Sequence, residues 1–395
     1  MSEVVIVGFV RTPIGKFGGA FKNVKPQYLA AICIRKLLER TGIDHKLIDE
    51  VILGCALQGG FGQNIARQAA LIAGFSPSVG AYVVNRVCSS GMQAIFEAYR
   101  QLKVGDASFI IAGGVESMST CPLAIPHEAR WGVKHCVIRK VELIDLMVYD
   151  GLTDPMTMML MGQEADKVAR EHNIPRELLD KIAYESHMRA TRATEQKLFI
   201  DMEPVDETIN GEKVYLDHDE GIRPDTSIEK LSKLKPVFTP EGPHTAGNSS
   251  QISDGAAMLL ITTLDKAREL GLKPIAKIVA YSWTAVETWR FVEAPIGAIR
   301  KVLDRAGWRI EDVDVFEVNE AFAVVPALVN KCLDIPYSKM NILGGAIALG
   351  HPLGATGARI VTTLIAALKA CGGKRGIAAL CHGTGGATAI AIELY

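Results

Sequence analysis

The chain has 395 residues, more than one core usually fills, so two or more domains are expected. With 48% hydrophobic and 22% charged residues and a formal net charge of −1, it has the make-up of a soluble globular protein and gives no sign of a nucleic-acid or membrane-surface binder. No apolar run reaches the length of a membrane span, MSEVVIVG at the start is not a signal peptide, IELY at the end carries no targeting tripeptide, and the eight cysteines show neither a C-x-x-C pair nor zinc spacing, so reduced thiols in a cytoplasmic protein without a metal site are expected.

Residues 4–7 are a β-branched run and predict a buried strand. Residues 11–19 form a loop rich in turn formers. Residues 28–40 carry Leu29, Ile32, Leu37 and Leu38 on or near one face and predict a helix. A strand over 51–57 and a helix over 64–73 follow. The apolar run 81–84 gives way, through NRVCSSG at 85–91, to a helix in which Ala94, Ile95, Ala98, Tyr99 and Leu102 recur at spacings of three and four. Ser89, Ser90 and Gly91 suit the entry to that helix. A strand at 108–112 runs into GGVESMS at 113–119. The alternation of strands and helices predicts βαβ units in a mainly parallel sheet covered on both faces.

Beyond residue 120 the pattern changes. Residues 121–155 mix Pro, Gly, Trp131 and Met with a basic cluster of Arg130, Lys134, Arg139 and Lys140, which reads equally as a solvated loop face or as a contact for an anionic ligand. Residues 162–198 return to helix, and 201–247 are polar and rich in Pro and Gly. A long stretch without clean alternation marks an inserted, functional segment. The core resumes with strands over 256–261 and 274–281 and a helix over 296–306 closed by Gly307. The second half also echoes the first. IDEVILGCALQ at 48–58 is answered by IEDVDVFEVNE at 310–320. The turn, helix and strand that start at Cys88 are answered by HPLGATG at 351–357, a helix over 359–370 and a strand over 376–380. Two related α/β halves are expected to face each other, with reactive residues at equivalent strand–helix junctions that converge on one pocket.

Four pieces carry chemistry. Cys88 at a helix N-terminus feels the positive end of the dipole, which favours thiolate over thiol and makes a nucleophile; a small buried core cysteine is the plainer reading. Asn319 follows a β run. His351 stands among small and turn-forming neighbours and suits a base that activates a thiol. Cys381 follows a buried strand and suits proton removal from a carbon next to a thioester. The backbone N–H groups of Cys88 and Gly383 can cradle an oxyanion. The Gly-rich run before His351 is neither a dinucleotide fingerprint nor a phosphate loop. His127, His135, His187, His218 and His244 lie in no motif and are expected at the surface.

These motifs resemble those of the thiolase family of acetyl-CoA acetyltransferases and 3-ketoacyl-CoA thiolases. VRTPIGKFGG at 10–19, NRVCSSG, GGVESMS, TAGNSSQISDGAA at 245–257, NEAFA at 319–323, GHPLG at 350–354 and CHG at 381–383 follow the family's order over nearly the whole chain. The resemblance implies an α/β, duplicated αβαβα layered fold. Residues 1–120 with 248–271 would form one half, 272–395 the other, and 121–247 an inserted loop domain over coenzyme A. It implies an enzyme: an acyltransferase that cleaves 3-ketoacyl-CoA, or condenses in reverse, through a Cys88 thioester. His351 would activate Cys88 and donate to the thioester oxygen of the second acyl-CoA, Asn319 would hold a water at that oxygen, and Cys381 would shuttle the α-proton. The Cys88 and Gly383 amides would hold the acyl-enzyme carbonyl. Ser250 would meet the pantetheine arm and Arg223 the nucleotide end, with Leu160, Met161, Phe238, Phe291 and Phe322 around the substrate. Coenzyme A is a substrate, no further cofactor or metal is implied, and a homodimer or homotetramer is expected.

The chain also departs from the pattern. Leu160 replaces the histidine of the His-Met-Gly run typical of acetoacetyl-CoA enzymes, which leans towards broader or longer acyl groups. VEAP at 292–295 stands where Gly-Thr-Gly-Pro is usual, so Phe291 and Glu293 are expected to reshape the acyl end. His382 and Thr384 intrude after Cys381, and His382 is expected to point away from the pocket, since strand neighbours face opposite ways. A decarboxylating condensing enzyme, and a thiolase-like subunit or acyl-CoA-binding scaffold that needs a partner protein, stay open as alternatives.

Overall fold

A computed structural model describes residues 2–132 and 142–395. Strand β1 (Val4–Arg11) leads through the short β2 (Gly15–Lys16) to the helix Pro26–Thr41. Then come β3 (Glu50–Gly54), the helix Ile65–Ile72, β4 (Gly80–Val84), the helix Ser90–Val104 and β5 (Phe109–Ser117). The segment that follows holds two small hairpins, β6 (Leu123–Ala124) with β7 (Ile144–Asp145) and β8 (Val205–Ile209) with β9 (Glu212–Leu216). Between the hairpins lie the helices Met161–Glu171 and Arg176–Glu195. The chain returns as β10 (Ser253–Thr263) and then β11 (Ala276–Ala285), the helix Ala294–Ala306, β12 (Val315–Val318), the helix Val324–Leu333, the helix Leu353–Cys371, β13 (Arg375–His382) and β14 (Gly386–Leu394).

The duplication suggested by the sequence echo is written in the strand pairing. β1 runs antiparallel to β10, β10 antiparallel to β5, and β5 parallel to β3. In the second half β11 runs antiparallel to β14, β14 antiparallel to β13, and β13 parallel to β12. The two sets meet where Val5 and Ile6 of β1 pair with Lys277 and Ala276 of β11. β4 closes one end of the resulting sheet and β12 the other.

The expectation of a mainly parallel sheet is therefore corrected. Among the described residues only β3–β4, β3–β5 and β12–β13 are parallel. β14 turns straight back from β13, and β10 enters from the inserted segment, so both run against their neighbours. Apolar periodicity reports burial and is blind to strand direction.

Three clusters of buried apolar side chains separate the layers. The middle one joins the helices Ser90–Val104 and Leu353–Cys371 to both halves of the sheet, and the outer two lie beneath the remaining helices. The helix Leu353–Cys371 is, among the described residues, the one long and apolar enough to cross a membrane, and 89% of that stretch is buried inside the protein. It is a core helix. It meets its counterpart at backbone distance: a Cβ on Gly357 would lie 2.3 Å from the Met92 nitrogen, and one on Gly91 would lie 2.8 Å from the Gly354 carbonyl. This close approach brings the Cys88 turn and the His351 turn together. Gly307 caps the helix Ala294–Ala306 at φ 67°, as the sequence signals.

Candidate active site

Cys88 sits in the turn between β4 and the helix Ser90–Val104. Val87, just before it, is a β-branched residue at φ 48°, a left-handed conformation that costs on the order of 1–2 kcal/mol. The turn is braced by its own motif. Asn85 Oδ1 accepts from Val87 N at 2.8 Å, and Ser90 Oγ accepts from Arg86 N at 2.8 Å and donates to Val87 O at 2.6 Å. Ser89 holds the N-cap position without a capping side-chain bond; its Oγ pairs with Thr388 instead, at 3.0 Å.

The amides of Gly383 and of Cys88 itself act on the Cys88 thiol and favour its charged form. Burial nevertheless outweighs them and pushes the thiol up to about 12. Burial thus opposes the thiolate expected from the helix dipole. Cys381, one residue before the end of β13, is 1% exposed, and burial, with the nearby Cys88 second, pushes its thiol up.

His351 precedes the helix Leu353–Cys371. Its Nδ1 lies 2.7 Å from Thr356 Oγ1, and that hydroxyl spends its only proton on the Pro352 carbonyl at 2.8 Å. Nδ1 must therefore carry the hydrogen, and Nε2 is left as a bare lone pair. Nε2 is buried and has no partner among the described residues. Burial, with the Arg359 charge second, lowers the imidazole to about 3, so it is neutral at ordinary pH. A bare, buried imidazole nitrogen is equipped to take a proton from a thiol.

Asn319 follows β12 and is pinned by its N–H to the Ala379 carbonyl at 2.9 Å. Its Oδ1 accepts from Arg359 Nη2 at 3.1 Å, while Nδ2 is buried without a partner among the described residues. The NEAF loop docks on the GNSS loop: Ser250 N donates to Ala321 O at 3.0 Å and Ala323 N to Asn248 O at 3.0 Å. Glu116 ties the site from behind, accepting from Ala56 N at 2.9 Å, Leu57 N at 3.1 Å and Gly354 N at 2.8 Å.

A mostly apolar cavity of about 490 Å³ leads to His351. Leu160, Met161, Phe238, Ser250 and Phe322 line it, joined by Val237 and Leu353. Met161 also lines a smaller cavity that touches Val87 and Gly383, so it stands between that cavity and the larger one. Phe291 lies outside the cavity lining: it is buried behind Phe322, ring centres 6.2 Å apart. Glu293 is spent on His172, at 2.7 Å, and on Arg290. Arg223 is exposed on a loop, its N–H donating to His187 Nδ1 at 3.1 Å, and it lines neither cavity. His382 turns its ring back on the Gly383 carbonyl at 2.7 Å and lines neither cavity.

The expected surface histidines divide. His127 and His218 are exposed, whereas His187 and His244 are buried at 3% and 0% exposure. His187 falls in helical register with Ala183 and Ala190, and His244 pairs with buried Asp166 at 2.8 Å. His135 and the Lys134, Arg139 and Lys140 part of the basic cluster lie outside the described residues; Arg130 is exposed. Thr356, Arg359 and Glu116 drew no attention in the sequence. The register of the helix after His351, which puts 356 and 359 three residues apart on one face, was the available signal.

Known proteins agree with this architecture. The model of the thiolase N-terminal domain matches residues 4–265 and that of the thiolase C-terminal domain residues 272–394. An acetyl-CoA acetyltransferase of Synechocystis is 44% identical over 394 residues, and a probable acetyl-CoA acyltransferase of Staphylococcus aureus is 42% identical over 398; both matches span the full length of both chains. The crystal structure of the Bacillus anthracis acetyl-CoA acetyltransferase superposes with a TM-score of 0.96 at 42% identity, covering 100% of this chain and 99% of that one. With both domain models matched end to end and the duplicated sheet in place, this chain belongs to the thiolase family.

Proposed function

We propose that the chain is an acetyl-CoA acyltransferase that cleaves 3-ketoacyl-CoA with coenzyme A, or runs the condensation in reverse, by ping-pong acyl transfer through Cys88. The observation that carries this reading is the pair of buried thiols, Cys88 and Cys381, beside the amides of Gly383 and Cys88, with the free Nε2 of His351 at the end of an apolar cavity. Its relatives, named acetyl-CoA acetyltransferase and acyltransferase, point the same way.

In the cleavage direction His351 Nε2 takes the Cys88 proton as the sulfur attacks the 3-keto carbon. The resulting oxyanion is held by the Cys88 and Gly383 amides. Collapse breaks the C2–C3 bond and leaves an acyl thioester on Cys88. The leaving acetyl-CoA enolate takes its carbon proton from Cys381. Its oxygen is met by the new Nε2–H and by a water held on Asn319 Nδ2. Taking the proton thus turns His351 from acceptor into donor. Coenzyme A then enters, its thiol proton passes to the Cys381 thiolate, its sulfur attacks the acyl carbon, and Cys88 leaves as a thiolate and takes its proton back from His351.

Leu160, with Val237, Phe238 and Phe322, gives the cavity apolar walls, which suits an acyl chain longer than acetoacetyl. The inserted segment 121–247 is the cover for coenzyme A in this reading. A homodimer or homotetramer is favoured by the open edge of β4 and by the exposed Leu123, Ile125, Trp131 and Leu143. Among the described residues seven cysteines are unpaired, which suits a reducing, cytoplasmic compartment.

The test is cleavage of 3-ketoacyl-CoA substrates from four carbons upward by the purified protein alone, together with two variants. Cys88→Ser should form no acyl-enzyme with labelled acetyl-CoA. Cys381→Ala should acylate yet fail to exchange the α-proton. A normal acyl-enzyme in the first, or normal exchange in the second, would sink the assignment. Inactivity of the parent on every chain length would favour the partner-dependent alternative.

A further inference from the structure

The helix Leu353–Cys371 begins two residues after His351, and its first turns carry two buried polar side chains on one face. Thr356 fixes His351. One turn on, Arg359 is 1% exposed and donates from Nη2 to Asn319 Oδ1 at 3.1 Å. A guanidinium has donors only, so the oxygen of the Asn319 amide must be the atom that faces it. The Nδ2 group is thereby committed to the opposite side, where it is buried and has no partner among the described residues.

Little else accounts for Arg359. Its nearest carboxylate, Glu317 Oε2, is 4.0 Å from Nη1, beyond hydrogen-bond reach, and among the described residues Nε and Nη1 make no hydrogen bond. Glu317 Oε1 is likewise unpaired. A core position that needed only volume would hold leucine or methionine, because an arginine buried with one firm bond is costly. That one bond goes to the amide of Asn319.

We propose that Arg359 is a positioning residue: it locks the Asn319 amide so that Nδ2, a donor, and never Oδ1, an acceptor, is presented to the enolate oxygen. This rests on the use of Asn319 and His351 at that oxygen. Without Arg359 the amide is free to flip, and a flipped amide offers a lone pair where negative charge develops. Acylation of Cys88 uses the other oxyanion site, built from the Cys88 and Gly383 amides, so it should be spared.

The experiment measures the two half-reactions separately. Acylation is read as the mass shift of the protein with acetyl-CoA; carbon–carbon cleavage is read with a 3-ketoacyl-CoA that the parent turns over. Arg359→Met should slow cleavage roughly tenfold to a hundredfold and leave acylation within about threefold. Asn319→Ala should show the same split. The double variant should cleave no more slowly than Asn319→Ala alone, because both changes remove one device. Arg359→Lys, which keeps the charge and a donor, should recover part of the cleavage rate. It also carries the test if the methionine variant does not fold, through a split of at least about fivefold between the half-reactions. Equal loss of both half-reactions, or losses that multiply in the double variant, would overturn the proposal and leave Arg359 a structural residue. Parent-like cleavage by Asn319→Ala would instead overturn the reading of Asn319 itself, and the proposal with it.

Discussion

The Thr356 hydroxyl offers the sharpest single perturbation. Thr356→Val keeps the side-chain shape and removes the acceptor that holds His351 Nδ1–H at 2.7 Å. The Pro352 carbonyl loses one of its three donors but keeps the Ala355 N–H at 3.0 Å and the Thr356 N–H at 2.9 Å, so the start of the helix should hold. What remains is a buried N–H without a partner, worth about 1–3 kcal/mol. The imidazole can escape that cost by moving its proton to Nε2, and in that tautomer it cannot accept the Cys88 proton. At 1.36 kcal/mol per decade the loss is roughly 5- to 150-fold in kcat for 3-ketoacyl-CoA cleavage. KM should stay close to the parent value, because Thr356 is 0% exposed and does not line the cavity. Thr356→Ser restores the acceptor and should restore most of the rate. The assay is steady-state cleavage followed at the absorbance of the 3-ketoacyl-CoA–magnesium enolate, with thermal unfolding in parallel. A kcat within twofold of the parent in a folded Thr356→Val protein would refute the reasoning, and so would a serine variant no better than valine.

Three further outcomes are expected. Glu116→Gln puts an amide against three backbone donors and should cost about 2–4 kcal/mol, visible as a lower melting temperature; an unchanged one would mean the latch from Gly354 to residues 56–57 adds nothing to stability. Leu160→His should raise kcat/KM for the four-carbon substrate relative to an eight-carbon one by roughly tenfold, and an unchanged ratio would take Leu160 out of the acyl path. The third concerns pH. Burial raises Glu164 and Asp254 to about 7 and Glu317 to about 8, so the folded state holds protons that the unfolded chain releases, and raising the pH costs stability up to those values. His187 and His382 are lowered to about 4 and His351 to about 3, so the unfolded chain binds the extra protons and raising the pH adds stability, but only up to their ordinary value of 6.5. The opposing groups overlap below pH 6.5 and only the carboxyls act above it. The melting temperature should therefore fall from pH 6.5 to pH 8, and a rise over that interval would contradict the assignment.

Much of the site was legible because its parts stand at junctions that local rules mark. Cys88 lies where an apolar run meets a helical one, Gly307 ends a helix, and the 48–58 and 310–320 segments both resolve into the strand that pairs in parallel next to a central strand. What escaped is what local pattern does not encode. Strand direction depends on how the chain returns, so β10 and β14 could not be seen as antiparallel. The helix dipole at Cys88 is a local effect, and burial, a global one, overrode it. Phe238 and Phe291 look alike in sequence, yet one ring covers Gly162 in the cavity wall while the other is packed behind Phe322. Thr356 and Arg359 are polar residues inside a helix, a pattern that usually means a solvated face. They are buried because the helix sits in the middle of the molecule with partners on every side.

In the proposed reaction, that central helix is what would let a neutral pair serve as a nucleophile and its base. In a dry site neither a standing thiolate nor a standing imidazolium is stable: burial drives the Cys88 thiol up and His351 down. Charge can therefore appear only as the sulfur attacks, and every group that meets it must already be aimed. Water cannot reorient to help, so the aiming falls to rigid elements. The amides of Cys88 and Gly383 are fixed by the backbone of a turn and a strand end. The two side chains that are free to rotate, the His351 ring and the Asn319 amide, are each locked by a residue from one helix, through Thr356 and Arg359. A helix packed against the Cys88 helix at backbone distance holds both locks in fixed register with the thiol. The glycines at 91, 354 and 357 are thus as much a part of the chemistry as the side chains they bring together, because any Cβ there would push the base away from the nucleophile.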